Sequence, residues 1–212
     1  MNDNDANGPK KAPRLPPCNK DKLVGPKPPL KVSHIWSIRT KMKTDDRKRD
    51  LALFNLAIDS KLRGCDLVAL RVADVAPHGR TADRATVRQT KTGRSVRFEL
   101  TDQTRDAVDA YLLETGRSGG ECLFPGRRAP GSHLTPRQYA RLVGEWVASI
   151  GLDPLSFGTH SMRRTKATLI YRRTGNLRAV QLLLGHTKIE STVRYLGIEV
   201  DDALEISEKT DI

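Results

Sequence analysis

Leu51, Phe54, Ile58 and Leu62 recur at spacings of three and four, which predicts a helix with one apolar face, entered at Asp45 and Asp46, whose carboxylates suit a first turn. Gly64 then allows a turn into a second short helix carrying Leu67, Val68 and Leu70. The period next shortens. Val72–Val75, 85–89 and 96–100 read as strands, with Thr92-Gly93 as turn material between the last two. Thr101 is placed to cap a helix that carries Ala107, Val108, Tyr111 and Leu112 and stops at Gly116. A loop rich in Gly, Arg and Pro runs over 117–132, and 135–150 reads as a helix with Tyr139, Leu142, Val143 and Trp146 inward. A helix capped by Thr159 follows, then one over Leu177–Leu184 with Leu177, Val180 and Leu184 on one side and Gly185 as its stop. A last short helix points Ile189 and Val193 inward and delivers Tyr195. Long helices around a few short strands imply an α+β class, mostly α-helical with a small antiparallel sheet.

Composition narrows the function. Thirty-seven Lys and Arg against 25 Asp and Glu leave +12, which favours a polyanion partner. Residues 1–33 hold seven of the twelve prolines with lysines between them, and read as a disordered basic arm; residues 34–197 form the folded domain. Residues 198–212 invert the sign, with six acids against one lysine, and read as an acidic tail that faces protein, either its own domain or a neighbouring subunit. No apolar run reaches the length of a membrane span, and the N-terminus does not have the pattern of a signal peptide, so a cytoplasmic, nucleoid-associated protein is expected. Cys18, Cys65 and Cys122 are too scattered for a metal site, and Cys65 reads as a small core residue. His34, His78, His133, His160 and His186 show no paired metal-ligand spacing, so neither metal nor other cofactor is expected.

The chemistry-bearing residues gather at the ends of short elements. His160 and Arg163 stand three apart, on one face of a first helical turn where free N–H groups favour an anion. His186 directly follows the stop at Gly185, and Tyr195 lies nine residues on. The order H-x-x-R, L-L-L-G-H-T and Tyr resembles the C-terminal half of tyrosine recombinase (phage integrase family) catalytic domains. Upstream, KLRGCDLVALRVADV resembles that family's first arginine box and places Arg63, with Asp66 as support. RQTKTGRSVRFEL resembles its lysine hairpin and places Lys91. The resemblance covers roughly residues 45 to 198.

It implies the tyrosine recombinase catalytic-domain fold, double-stranded DNA as partner, a homo-oligomer assembled on that DNA, and catalysis by Arg63, Lys91, His160, Arg163, His186 and Tyr195. In that scheme Tyr195 attacks a phosphodiester and leaves a 3′-phosphotyrosyl link, while Arg63 and Arg163 clamp the non-bridging oxygens. Lys91 protonates the leaving 5′-oxygen, His160 takes or orients the tyrosine proton, and His186 donates to the phosphate. Arg164 and Lys166 break the family spacing and read as backbone-phosphate contacts or surface charge. Relatives carry a helical core-binding domain ahead of the catalytic one, where about 33 irregular residues and one short helix are expected here. A type IB topoisomerase-like enzyme shares the chemistry, and a non-catalytic DNA-binding regulator shares the charge; both stay open on sequence alone.

Overall fold

The computed structural model describes residues 25–127, 129, 131–198 and 208. Among these, nine helices surround one hairpin. In chain order they are α1 (Val32–Thr44), α2 (Lys48–Ser60), α3 (Gly64–Val68), α4 (Val72–Val75), β1 (Arg84–Arg88), β2 (Ser95–Glu99), α5 (Asp102–Thr115), α6 (Pro136–Ala148), α7 (Thr159–Thr174), α8 (Leu177–Leu184) and α9 (Ile189–Leu196). The strands pair antiparallel, with Arg84 opposite Glu99 and Val87 opposite Val96. The fold is thus mostly helical with one small antiparallel sheet, as the residue pattern implies.

Helix α2 is the central element, and it is more enclosed than a single apolar face predicts: every residue from Asp50 to Ser60 is buried. It packs against α1, α3, α5, α7 and β2. Its four buried polar side chains are each occupied, Ser60 Oγ by the Leu62 amide at 3.3 Å. Asp50 accepts from Trp146 Nε1 at 3.3 Å and pairs with Arg47 and Arg49. Asn55 accepts from Arg39 Nε at 2.8 Å and donates to the Gln103 carbonyl at 3.1 Å. Asp59 accepts from the Thr101 amide, the Thr101 and Thr104 hydroxyls and Lys166 Nζ, all within 2.9 Å. A buried carboxylate needs such a full set of donors to stay ionised.

The helix ends at Lys61, which adopts a left-handed conformation (φ 54°) despite having a side chain. Such a residue costs roughly 1–2 kcal/mol. Its fully enclosed ammonium donates to the Asp59 carbonyl at 2.6 Å and to Glu99 Oε1 at 3.2 Å, which offsets that cost and turns the chain toward Arg63. Lys166 Nζ also reaches Glu99 Oε1, at 2.7 Å, so α2, β2 and α7 meet at one ionic cluster. Lys166 is therefore an internal tie, and the reading of it as a phosphate contact or surface charge is corrected.

Other expectations change in detail. Val72–Val75 is a helical turn, where a strand was expected. Asp74 accepts the Arg71 amide at 2.8 Å, a cap that a four-residue apolar run does not advertise. Helix α7 starts one residue early, with Gly158 at the cap position and Thr159 as its first helical residue. Ile189 is 40% exposed; Thr192, at 0%, is the residue that α9 turns inward. Cys65 is exposed, because the five-residue α3 directs Asp66, Leu67 and Val68 to the interior and leaves Cys65 outside. Packed chain also begins before residue 34: Leu30 lies in the core and α1 starts at Val32. Residues 1–24 of the expected arm, and all of the expected acidic tail except Ile198 and Glu208, lie outside the described residues.

Two substitutions test this packing. Burial by itself would raise the Asp59 carboxyl, but Lys166, Thr104 and Thr101 outweigh it and hold it below its ordinary value. Asp59→Ala is expected to lower the unfolding free energy by about 3–5 kcal/mol at pH 7, the usual cost of removing one member of a buried pair. A depressed carboxylate contributes stability above its ordinary value and loses it as pH falls, so the deficit should shrink below about pH 4. Urea titration at several pH values measures both, and a loss under 1 kcal/mol at pH 7 would count against the cluster. Gly185 has φ +66°, and a Cβ there would stand 2.6 Å from Val96 Cγ2. Gly185→Ala should therefore cost about 1–3 kcal/mol and loosen α8 from β2, read as raised amide exchange at the α8 C-terminus.

Candidate active site

Four separate elements deliver side chains to one place on the surface. Arg63 precedes α3, and the left-handed turn at Lys61 sets its direction. His160 and Arg163 occupy the first turn of α7, with His160 exposed and Arg163 only 3% exposed. His186 follows the C-cap of α8, and Tyr195 sits in the last turn of α9.

Arg163 is fixed through one edge. Its Nη2 donates to the Leu184 carbonyl at 2.7 Å, and its buried Nε has no partner among the described residues. The same carbonyl receives Gln89 Nε2 at 3.4 Å. Gln89 Oε1 in turn accepts from Arg63 and, at 2.9 Å, from the Thr92 hydroxyl. Gln89 thus joins Arg63 to the hairpin turn and shares the Leu184 carbonyl with Arg163. Asp66 ties α3 to that turn by accepting the Thr90 amide at 2.8 Å. Lys91 is exposed in the turn, two residues beyond Gln89.

Tyr195 is half-buried among cations. The centres of the Arg163 and Arg164 guanidiniums stand 5.5 Å and 4.7 Å from its ring centroid. His186 meets it edge-on at 5.4 Å and His160 at 6.5 Å. Its hydroxyl faces the His160 carbonyl at 3.4 Å. His186 Nδ1 lies 3.1 Å from Thr192 Oγ1, which engages that nitrogen and leaves Nε2 for another partner.

The electrostatics follow from crowding positive groups in a half-dry place. Burial, then Arg163 and Arg63, push His186 down to about 4. His160 is lowered as well, first by burial and then by Arg163, Arg164 and Arg63. Both rings are neutral at pH 7 and able to accept a proton. Burial raises the Tyr195 phenol above its ordinary value, and the three arginines only partly oppose this. Asp66 is the carboxylate that acts on Arg163, and one of its oxygens is itself without a partner among the described residues. The arrangement suits an anion with several oxygens that can take up the unused donors.

Five of the six residues singled out from sequence therefore converge: Arg63, His160, Arg163, His186 and Tyr195. Lys91 stands on the adjoining turn without contact to them. Sequence reasoning missed two participants. Gln89 looked like the end of a strand, and no spacing rule marks an amide that holds one arginine and shares a carbonyl with another. Arg164 was read as a phosphate contact or surface charge, but it is 6% exposed and bonded to two carbonyls. Among the described residues no cluster of His, Cys, Asp and Glu is arranged to hold a metal ion.

Comparison with known proteins gives the same frame. The phage integrase family model matches residues 30–200. A tyrosine recombinase XerC from Neisseria meningitidis is 35% identical over 155 residues, covering 72% of this chain and 48% of the relative. The probable integrase/recombinase YoeC of Bacillus subtilis is 30% identical over 156 residues, covering 73% and 80%. The chain spans about half the length of the XerC relatives it matches. Among solved structures, XerA recombinase superposes with a TM-score of 0.70 at 19% identity, covering 88% of this chain and 66% of that one. A XerH site-specific recombinase bound to its difH substrate gives 0.68 at 18% identity, covering 87% and 55%. At these identities the structures speak for the fold, while the family model spans well over half of the sequence. The chain belongs to the phage integrase family, and its folded part is a tyrosine recombinase catalytic domain.

Proposed function

We propose that this chain breaks and rejoins duplex DNA at specific sites, with Tyr195 as nucleophile and a 3′-phosphotyrosyl intermediate. One observation carries the reading: two buried or half-buried arginines and two neutral histidines surround a single tyrosine, with donors left over for a phosphate. Attack places extra negative charge on the non-bridging oxygens, and Arg63 and Arg163 are preorganised to take it. Gln89 and the Leu184 carbonyl hold the two guanidiniums at a fixed separation, so little reorganisation accompanies the reaction.

The tyrosine must lose its proton against a raised pKa, so a base is required. His160 is neutral, adjacent and exposed enough to receive it. His186, oriented through Thr192, donates to the phosphate once the incoming negative charge makes its protonated form favourable. The leaving 5′-oxygen needs a proton in its turn. Lys91 sits on a solvent-facing turn joined to the arginines through Gln89, Thr92 and Asp66, with its own side chain exposed, a placement suited to meeting bound DNA.

The reaction stores the phosphodiester energy in the protein–DNA bond, so no high-energy cofactor is needed. Exchange between two duplexes requires four strand cleavages, and each chain has one Tyr195. The working form is therefore an oligomer assembled on DNA. Among the described residues no helix is long and apolar enough to cross a membrane, which fits a chain that works at DNA in the cell interior.

Two experiments test the assignment. Tyr195→Phe should abolish the protease-sensitive adduct on a nicked duplex while salt-dependent DNA binding persists; an adduct surviving in the variant would mean another nucleophile. Lys91→Ala should slow cleavage by about 100-fold or more, the usual share of a general acid. A substrate with sulfur at the 5′-bridging position has a leaving group that needs no proton, so it should erase most of that loss. Equal impairment on both substrates would move the acid elsewhere.

A further inference from the structure

Arg164 has no part in the scheme above, yet it is among the least exposed charged side chains in the protein. Its guanidinium lies over the Tyr195 ring at 4.7 Å. Nε donates to the Tyr195 carbonyl at 2.7 Å, and Nη1 donates to the carbonyl of Lys27. A planar fork bonded along two edges is a rigid coupler between its two acceptors. One acceptor belongs to the residue carrying the nucleophile. The other belongs to the segment by which the chain enters the domain, and it lies 137 residues before Arg164 in sequence.

That segment is strapped onto the start of α7. Lys27 Nζ donates to the Phe157 carbonyl at 2.6 Å, and the Leu30 amide donates to Thr165 Oγ1 at 3.0 Å. Leu30 fills the core. Lys27 passes close to Gly158, where a Cβ would stand 3.3 Å from its Cδ, so its side chain lies along the cap of α7. Pro26, Pro28 and Pro29 restrict the backbone around the accepting carbonyl, which keeps the strap from yielding locally.

We infer that Arg164 is a positioning residue that clamps the entering strap, residues 27–30, to the backbone of the nucleophilic tyrosine, so that the seating of the strap sets whether Tyr195 is presented for attack. The clamp needs no contact between Arg164 and the phosphate. It acts on α9, an eight-residue helix whose one fully buried side chain is Thr192 and whose Tyr195 and Leu196 pack only partly buried against Ala167, Val180 and Leu184. This inference rests on the reading of Tyr195 as nucleophile, so its test includes a readout independent of cleavage.

The experiment uses the full chain and three variants. Arg164→Ala removes both bonds. Arg164→Lys keeps the charge and most of the stem but has one nitrogen for two carbonyls. Thr165→Val unseats Leu30 without touching the tyrosine. Cleavage rates are measured at saturating nicked duplex, beside DNA affinity and the thermal midpoint. A displacement of about 1 Å at a reacting group can cost on the order of 100-fold, so Arg164→Ala should cleave about 10- to 100-fold more slowly at nearly unchanged DNA affinity. Arg164→Lys and Thr165→Val should be slowed less, and the double variant Arg164→Ala/Thr165→Val should be no slower than Arg164→Ala alone. Losses that multiply would show that the strap and the arginine act separately, and an unchanged or faster Arg164→Ala would end the proposal.

A methylphosphonate linkage, which removes charge from a non-bridging oxygen, separates positioning from phosphate contact. It should relieve Arg63→Ala and leave the Arg164→Ala deficit as large as before; relief of Arg164→Ala would make that residue a phosphate ligand. Hydrogen exchange without DNA completes the test. Arg164→Ala and Thr165→Val should both speed exchange in Ile189–Leu196 and in residues 27–31, and an unchanged α9 would sink the clamp. If wild-type protein forms no adduct while exchange responds in this way, the recombinase reading fails and the clamp stands.

Discussion

The structure turns on burying guanidiniums with too few carboxylates to match them, Asp66 being the buried carboxylate that acts on Arg163. Arg163 is held inside the domain by a backbone carbonyl, that of Leu184, and Arg164 by two more. A buried charge met only by neutral dipoles is costly unless an anion completes the set. The surroundings are organised around keeping that place open. Gly185 lets α8 end against Val96, so that Leu184 presents its carbonyl inward, and the left-handed Lys61 turns the chain to bring Arg63 alongside. The histidines are kept neutral by the same cations. The acids that would quench the site are engaged elsewhere: Asp59 and Glu99 with Lys61 and Lys166, Asp50 with Arg47 and Arg49.

Two ionic centres thereby divide the work along α7. Its first turn carries His160 and Arg163 toward the open site, and three positions further Lys166 drops into the closed cluster with Asp59 and Glu99. Because Glu99 ends β2, the closed cluster fixes one end of the hairpin whose other end carries Gln89 and Lys91. Hairpin, arginines and α7 are held in one frame, and the exposed turn keeps freedom to move.

Much of this was legible in the residues. Periodicity located α2, α5, α6 and α8, and Gly116 and Gly185 marked stops that are left-handed caps in the structure. The order of the six chemistry-bearing residues led to the family before any geometry, because helix ends and their flanking residues are local features. What stayed hidden was tertiary. Val72–Val75 is too short for its period to distinguish strand from helical turn. Arg164 and Lys166 are charged residues on a helix, for which exposure is the ordinary expectation; only the fold shows carbonyls and carboxylates waiting for them. Ile189 follows the opposite error, since an apolar residue in the first turn of a short helix has no obligation to be covered. Gln89 has no sequence signal at all, because its importance lies in which three groups surround it.

The central claim is that this cluster is an incomplete site for a phosphate, and proton linkage tests it most directly. A phosphate seated between Arg63 and Arg163 would counter the field that lowers His160 and His186, so both rings should gain protons as DNA binds. Binding enthalpies for a short duplex at pH 6, measured in buffers of different ionisation enthalpy, report that uptake as a slope. The account predicts net proton uptake that largely disappears in the His160→Asn/His186→Asn variant at similar affinity. A slope of zero, or one unchanged in the double variant, would contradict it.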